Sequence, residues 1–575
     1  MLRRLLPFLD WLPELRRPAV LRADVVAGAT VAAIVIPQSM AYASLAGLPA
    51  VYGLYAAFLP PMVASLWGSS RQLVTGPMAT ASLISAATIH SLGPVSPEAF
   101  VGYSLLLALM VGLIRLALGV LRLGLLVNLL SGPVTIGFIN AGAVIIATSQ
   151  LQQVLGIEVR QGAYHYQTVL AILGAASSLH WPTVGLAAVT GGIMVALRYR
   201  TGKILLAVAA ATLLSWGLGY SGRVVGAIHG GLPGFQLPPL DPAVIPRLFA
   251  GALTLTFVGL TETMSIAKTV ATRTKQHIDV NRELVGQGMA NIVGGLFQSF
   301  AVSGSFARTA VNFQAGAVTG FAAVVASAVV GVVLLFLTPL LRHLPQAALA
   351  AVIILAVLSL FRVDPVRQAW RVSRVDAAIA VVTFAVTLVA APRLHLGIAV
   401  GVALSLAQYL RRTMRPHVAY LARSPRGPLV DADANGLQLD QRIAIIRFDG
   451  RLYFGASAYF QDKVLEAVSR LPELRYLVLD AGGINQLDST GEQTVRQVVE
   501  DLRDAGLDVY FTRVKPQFRA ALERTGTIDF VGRDHFFEWN QHALEHLWSL
   551  MEPAYRARCP LNVPTPQTQA GAYTI

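Results

Sequence analysis

Residues 303–308 read Ser303-Gly304-Ser305-Phe306-Ala307-Arg308, a polar, glycine-containing break that leads to an arginine between two apolar stretches. An unpaired cation in a low-dielectric setting costs at least about 2.5–3.5 kcal/mol. Arg308 therefore needs an anionic partner: a permanent carboxylate, a route out to water, or a bound anion. The small residues ahead of it suit a helix that begins inside the apolar layer, with first-turn N–H groups left over. Thr75-Gly76-Pro77-Met78-Ala79-Thr80 repeats the pattern 228 residues earlier (80 to 308). Two such N-termini facing one another, each carrying about half a positive charge, make an anion site. The hydroxyls of Ser303 and Ser305 can add donors. Phe306 reads as a wall or gate, with plain packing an equal alternative.

A helix precedes each break. Pro37-Gln38-Ser39-Met40-Ala41-Tyr42-Ala43 lines up with Thr261-Glu262-Thr263-Met264-Ser265-Ile266-Ala267 at an offset of 224 residues (38 to 262). Two near-equal offsets indicate an inverted repeat whose binding site lies where the halves meet. Gln38 then stands opposite Glu262 by pseudo-symmetry. Gln38 and Tyr42, at i, i+4 spacing, share a helix face and offer polar or aromatic contacts, although packing explains Tyr42 as well. Glu262 is costly when charged in mid-helix. It is the candidate to bind a proton while an anion occupies the field of Arg308, which gives symport its logic; a static Glu262–Arg308 salt bridge is the alternative. Sodium coupling is less favoured, because Ile266, one turn on, offers no side-chain oxygen.

The surrounding composition agrees with a membrane setting. Of 575 residues 54% are hydrophobic and 13% charged, about half the charge of a soluble domain. The net charge of +14 falls in short clusters between apolar runs, which reads as topology rather than as a nucleic-acid surface. Segments long enough to cross, or to cross in halves, are expected at 24–44, 52–67, 77–90, 99–120, 126–149, 182–197 and 203–219, then at 246–268, 284–299, 305–314, 318–338, 346–360, 375–391 and 395–411. An apolar stretch at 165–178 is expected as an interfacial helix. This is an all-α polytopic domain of about fourteen segments in a seven-plus-seven repeat. Arginine and lysine concentrate in alternate loops, among them Arg198, Arg200, Lys203, Arg273, Lys275, Arg367, Arg371, Arg411 and Arg412, whereas the others hold scattered Arg160, Arg223, Arg247, Arg342 and Arg393. The positive-inside bias puts both termini in the cytoplasm. Residues 1–23, rich in arginine and proline, read as a cytoplasmic lead-in to a transport domain at 24–415.

After a linker at 416–440, containing Ser424-Pro425-Arg426-Gly427-Pro428, the pattern becomes charged and alternating. Strands are expected at Ile443–Phe448, Tyr476–Leu479 and Asp508–Thr512, and helices at Ala458–Arg470 and Thr494–Ala505, forming an α/β domain over 441–555. Residues 556–575 read as a disordered tail, and Cys559, the only cysteine, as an inert thiol within it. His277 and His417 read as membrane-edge residues. Neither a metal cluster nor a cofactor site is expected.

Ile36-Pro37-Gln38-Ser39-Met40-Ala41-Tyr42-Ala43, Gly47-Leu48-Pro49 through Tyr52-Gly53-Leu54-Tyr55, Gly76-Pro77, and Ser303 through Asn312 resemble the sulfate permease family, which includes the solute carrier family 26 anion transporters. The resemblance covers nearly the whole chain. It implies a core domain moving against a gate domain in an elevator-like manner, and a homodimer. It places an anion site on Gln38, Pro77 and Ala79 after Gly76, and Ser305 and Arg308 after Gly304, with Glu262 at the coupling position. It also implies a C-terminal STAS domain marked by Leu487-Asp488-Ser489-Thr490-Gly491, whose relatives are phosphorylated on a hydroxyl of that loop. Helix capping by Ser489 and Thr490 is the plainer reading.

The function expected is proton-coupled uptake of sulfate or a similar oxyanion through a bacterial inner membrane, with lipid and a second copy as partners. Sodium-coupled bicarbonate or C4-dicarboxylate symport, and an uncoupled exchanger or channel, are the alternatives. A membrane-anchored enzyme or sensor is disfavoured, because neither a nucleotide loop nor a nucleophile–base pair accompanies the C-terminal domain.

Overall fold

In the membrane-embedded unit, glycines decide how closely the helices approach. The computed structural model describes residues 6–159, 164–197, 202–226 and 230–562, and it divides into two units, 1–405 and 406–575. Helices of the first half are α1 (Pro18–Leu45), α2 (Ala50–Trp67), α3 (Ala79–His90), α4 (Pro97–Val120), α5 (Gly132–Leu155), α6 (His165–Gly174), α7 (Trp181–Ala196) and α8 (Lys203–Gly217). The second half gives α9 (Ile245–Thr274), α10 (Val280–Leu296), α11 (Phe306–Gln314), α12 (Phe321–Val332), α13 (Gln346–Leu358), α14 (Asp364–Val372), α15 (Arg374–Ala390) and α16 (His395–Met414). Each expected span coincides with a helix. The stretch at 165–178 forms the short α6 and a following turn. The cluster Arg367–Arg371, expected in a loop, is the amphipathic α14, none of whose residues is buried. Arg160, Arg198 and Arg200 lie outside the described residues.

These helices sort into two bundles. In one, α1 packs on α2 and α12, and α10 packs on α2 and α4; in the other, α5 packs on α13 and α15, and α7 on α8 and α13. They correspond to the expected core and gate. The α4–α10 seam is built from small residues: a Cβ on Gly288 would fall 2.6 Å from the Leu116 nitrogen, and one on Gly112 would fall 2.6 Å from the Ile292 nitrogen. Backbones this close gain dispersion that larger side chains would prevent. Capping ties off the ends: Asp279 accepts from the N–H groups of Asn281 and Arg282 at the start of α10, and Ser96 from Ala99 at the start of α4.

Between α2 and α3, and again between α10 and α11, the chain is extended. β1 (Thr75–Gly76) and β2 (Ser303–Gly304) pair antiparallel, Thr75 with Gly304 and Gly76 with Ser303. Under the 228-residue offset Thr75 maps to Ser303 and Gly76 to Gly304, so the exchange carries one pair onto the other. A two-fold relation between the halves runs through this ribbon.

The second unit is a six-stranded sheet in the order β4-β3-β5-β6-β7-β8, comprising β3 (His417–Arg423), β4 (Leu429–Asp431), β5 (Ile443–Asp449), β6 (Tyr476–Asp480), β7 (Asp508–Thr512) and β8 (Phe536–Phe537). β5 through β8 run parallel; β3 and β4 join antiparallel at one edge. Helices at Phe454–Arg470, Ser489–Asp504 and Pro516–Thr525 cover one face around Phe448, Leu479 and Phe511, whereas Asn540–Ser549 covers the other around Ile445, Val478 and Tyr510.

Two boundaries differ from expectation. The residues read as a linker form β3 and β4, because Ser424–Pro428 is the hairpin turn between them, closed by the Ser424 N–H to the Pro428 carbonyl. His417 is the first residue of β3. The expected tail also begins later: Pro553–Arg558 is helical, Cys559 and Leu561 are buried, and the Cys559 thiol donates to Asp440. Residues 563–575 of that tail lie outside the described residues.

Candidate functional site

The ribbon sets the geometry. After it, α3 and α11 begin without any side-chain cap, so the first-turn N–H groups of both helices are left over. The segment leading into β1 is braced by α11: Thr309 accepts from the Val74 N–H at 3.0 Å, and Asn312 donates to the Gln72 carbonyl at 3.0 Å. Pro77 follows Gly76 and has no N–H to compete for a ligand, while Ala79 and Thr80, both buried, form the first turn of α3.

Arg308 stands in the first turn of α11 and is 1% exposed, yet its Nε, Nη1 and Nη2 have no hydrogen-bond partner among the described residues. Its guanidinium lies against Gly76, where a Cβ would come within 3.3 Å of Nη1. Gly76 has φ +150°, so any side chain there would meet both backbone strain and the guanidinium. Tyr42 is close enough to Arg308 to interact with it electrostatically. Gln38 Nε2 donates to the Tyr42 hydroxyl at 2.9 Å, as the shared helix face predicts, and Gln38 Oε1 is buried without a partner. One cation, one amide and one phenol thus lie beside two free helix termini. Such a set matches a small anion.

Glu262 does not pair with Arg308. Its carboxylate accepts from the Thr80 hydroxyl at 3.0 Å and is thereby tied to the first turn of α3. The two serines before α11 differ. Ser303 is fully buried, its hydroxyl engaged by the Gly259 carbonyl and by Thr263, each at 3.0 Å, so it serves the ribbon rather than a ligand. Ser305 has its N–H on the Val74 carbonyl and its side chain outside any cap. Phe306 is 56% exposed.

Sequence reasoning missed the frame behind the ribbon. Glu283, Gln287 and Asn291 lie at i, i+4, i+8 on α10. Glu283 accepts from the N–H groups of Ser69 and Ser70; Gln287 donates to the Thr75 hydroxyl; Asn291 bonds both the N–H and the carbonyl of Val302. Their signal was a polar stripe in a membrane helix. Two cavities of about 770 Å³ flank this region. One reaches Leu83, a turn beyond Thr80, and holds His90 and His165. The other reaches Thr261, next to Glu262, and holds Lys268.

In the second unit Asp488, not Ser489 or Thr490, caps the helix: its Oδ1 accepts from Gly491 at 2.7 Å and its Oδ2 from the Phe454 N–H at 3.0 Å. Ser489 and Thr490 are exposed. The capping role expected of them belongs to the aspartate, whose two carboxylate oxygens reach both N–H groups.

Residues 21–383 match the model of the sulfate permease family, and residues 437–542 that of the STAS domain. The chain is 31% identical over 561 residues to the chloroplastic sulfate transporter 4.1 of Arabidopsis thaliana, covering 93% of this chain and 81% of that protein. It is 33% identical over 527 residues to a probable sulfate transporter of Mycobacterium tuberculosis, covering 90% and 93%. The murine solute carrier 26 family member A9 anion transporter, solved in an inward-facing state, shares the fold with a TM-score of 0.87 at 24% identity, over 95% of this chain and 94% of that one. With a matched membrane domain, a matched C-terminal domain and relatives above 30% identity along most of the chain, the chain belongs to the sulfate permease family of anion transporters.

Proposed function

We propose that the protein carries sulfate or a similar oxyanion together with a proton. The observation that supports this reading is Arg308, buried with every guanidinium nitrogen unpartnered beside two uncapped helix N-termini. An anion there supplies the missing acceptors. The relatives named as sulfate transporters favour sulfate among the candidates.

Coupling follows from the place of Glu262. Held by Thr80 at the start of α3, its ionised carboxylate competes with the substrate for the same positive terminus. A proton on Glu262 removes the competition, so proton and anion enter together. Ile266, one turn on, offers sodium no ligand. Alternating access then consists of the bundle that holds the ribbon moving, elevator-like, against the other, with the two cavities as the approaches from either side. A homodimer in a bacterial inner membrane, with both termini cytoplasmic and Ser489 and Thr490 as regulatory hydroxyls, completes the proposal.

The test is uptake of radiolabelled sulfate, bicarbonate and succinate into proteoliposomes, with and without an inward proton gradient, for the wild type, Glu262→Gln and Arg308→Ala. Gradient-driven sulfate uptake is expected in the wild type, gradient-independent uptake in Glu262→Gln, and none in Arg308→Ala. Uptake indifferent to the gradient and to both substitutions overturns the site and the coupling together. Preference for bicarbonate or succinate overturns the substrate alone.

A further inference from the structure

Arg115, little more than a turn before the end of α4, is as deeply buried as Arg308, at 1% exposure. Its Nη1 donates to the Val302 carbonyl and its Nη2 to the Leu255 carbonyl, each at 2.9 Å, while Nε has no partner. Both acceptors are neutral, and among the described residues Arg115 takes part in no ion pair with a carboxylate. Its full charge therefore persists in the low-dielectric interior, where fields carry furthest.

Both acceptors belong to the frame of the anion site. Val302 immediately precedes β2, and Leu255 lies on α9, two turns before Glu262. A Cβ placed on Gly259 would fall 2.3 Å from Arg115 Nη2 and 2.7 Å from Ser303 Oγ, so the guanidinium and the Ser303 hydroxyl border the same small space. Ser303 pairs across the ribbon with Gly76, and against Gly76 lies the Arg308 guanidinium. Two buried cations thus reach one short ribbon, and among the described residues no carboxylate bonds to either.

We infer that Arg115 is a positioning residue of the anion site and its second fixed positive charge: it holds β2 through Val302 and makes the site favour divalent oxyanions over monovalent anions. This rests on reading the ribbon as the anion site. A fixed charge acts on a ligand in proportion to the ligand's own charge, whereas a packing defect weakens ligands of either valence alike. Removing a charge that acts across a separation on the order of 10 Å, at an effective dielectric constant of about 20, weakens a monovalent anion roughly tenfold. It weakens a divalent one by about the square of that factor.

The experiment is equilibrium binding of sulfate and of chloride to the purified full-length protein. It compares the wild type, Arg115→Met, Arg115→Gln, Arg115→Lys and Arg308→Ala, each checked for wild-type elution on size exclusion. Either neutral substitution at Arg115 is expected to lower the sulfate-to-chloride affinity ratio about tenfold. Arg115→Lys, which keeps the charge but not the two-pronged clamp, is expected to hold the ratio near the wild-type value even if both affinities fall. Equal weakening of both anions in the neutral variants, or no weakening, overturns the inference while leaving the site intact. Wild-type binding that is unaffected by Arg308→Ala instead overturns the reading of the site itself.

Discussion

A guanidinium recognises an oxyanion by shape as well as charge, because its planar fork presents two parallel donors to two oxygens. Arg308, with three unpartnered nitrogens, is poised to use that fork. Arg308→Lys keeps the charge and loses the second donor, so sulfate affinity is expected to fall about tenfold. Loss of several charge-assisted bonds, each contributing about 1.5–3 kcal/mol, makes Arg308→Ala weaker by a hundredfold or more. Equilibrium binding of labelled sulfate checks both, and a lysine variant that binds like the wild type would show that the fork is unused. Arg308, Gln38 and Gly76 were legible in the sequence because each interrupts an apolar run. Ser303 and Ser305 look alike there; only the packing of Ser303 against Gly259 and Thr263 tells them apart. Arg115 raises the same cost argument as Arg308, but it stands in an unbroken apolar helix, with no glycine or proline beside it to mark a site.

At the scale of elements, α10 acts as a strut. Its Asn291 bonds both backbone polar groups of Val302, at 2.9 and 3.1 Å, and so fixes where β2 runs before α11 begins. Asn291→Leu leaves the buried Val302 N–H unpaired, at about 1–3 kcal/mol, and the Val302 carbonyl with Arg115 as its remaining donor. The membrane unit is expected to lose several degrees of thermal stability in detergent, read by the onset of aggregation, with sulfate binding weakened alongside. An Asn291→Leu protein as stable as the wild type would remove the strut from the account. The spans themselves were legible, since only apolar length is needed to cross a membrane. α14 was not: its residues are exposed or half-buried, so no apolar run announced it. β3 was hidden for the opposite reason, because the Pro- and Gly-containing turn that follows it has the composition of a linker.

For the whole molecule, the second unit is the larger source of surprise, since its last described segment packs back onto Asp440, just before its own strand β5. Ser489 and Thr490, exposed and relieved of capping by Asp488, are free to carry a phosphate. Replacing both by aspartate is expected to change transport rate at unchanged sulfate affinity, while replacing both by alanine leaves each as in the wild type; identical rates in all three proteins would end the regulatory role. The closing segment is tested separately. Asp440, just before β5, accepts from the backbone N–H groups of Arg442 and Ile443, from the Tyr555 hydroxyl at 2.8 Å and from the Cys559 thiol at 3.2 Å. Burial first, and the Asp440 carboxylate second, push the Cys559 thiol up to about 11 from an ordinary value of 9.0, and the same two causes raise the Tyr555 phenol. Because the folded state favours the neutral thiol, its contribution to stability is present below about pH 9 and is lost as pH rises towards 11. At pH 8 the thiolate population is about a hundredfold below that of an unperturbed thiol. With a single cysteine in the chain, alkylation of the full-length protein reports on this site alone. Labelling is expected to be at least about a hundredfold slower in the native protein than in denaturant, and to speed up in Asp440→Ala, which frees the segment from β5. Rapid native labelling at pH 8, or rates indifferent to Asp440→Ala, would mean that residues 553–562 do not close over the sheet in solution.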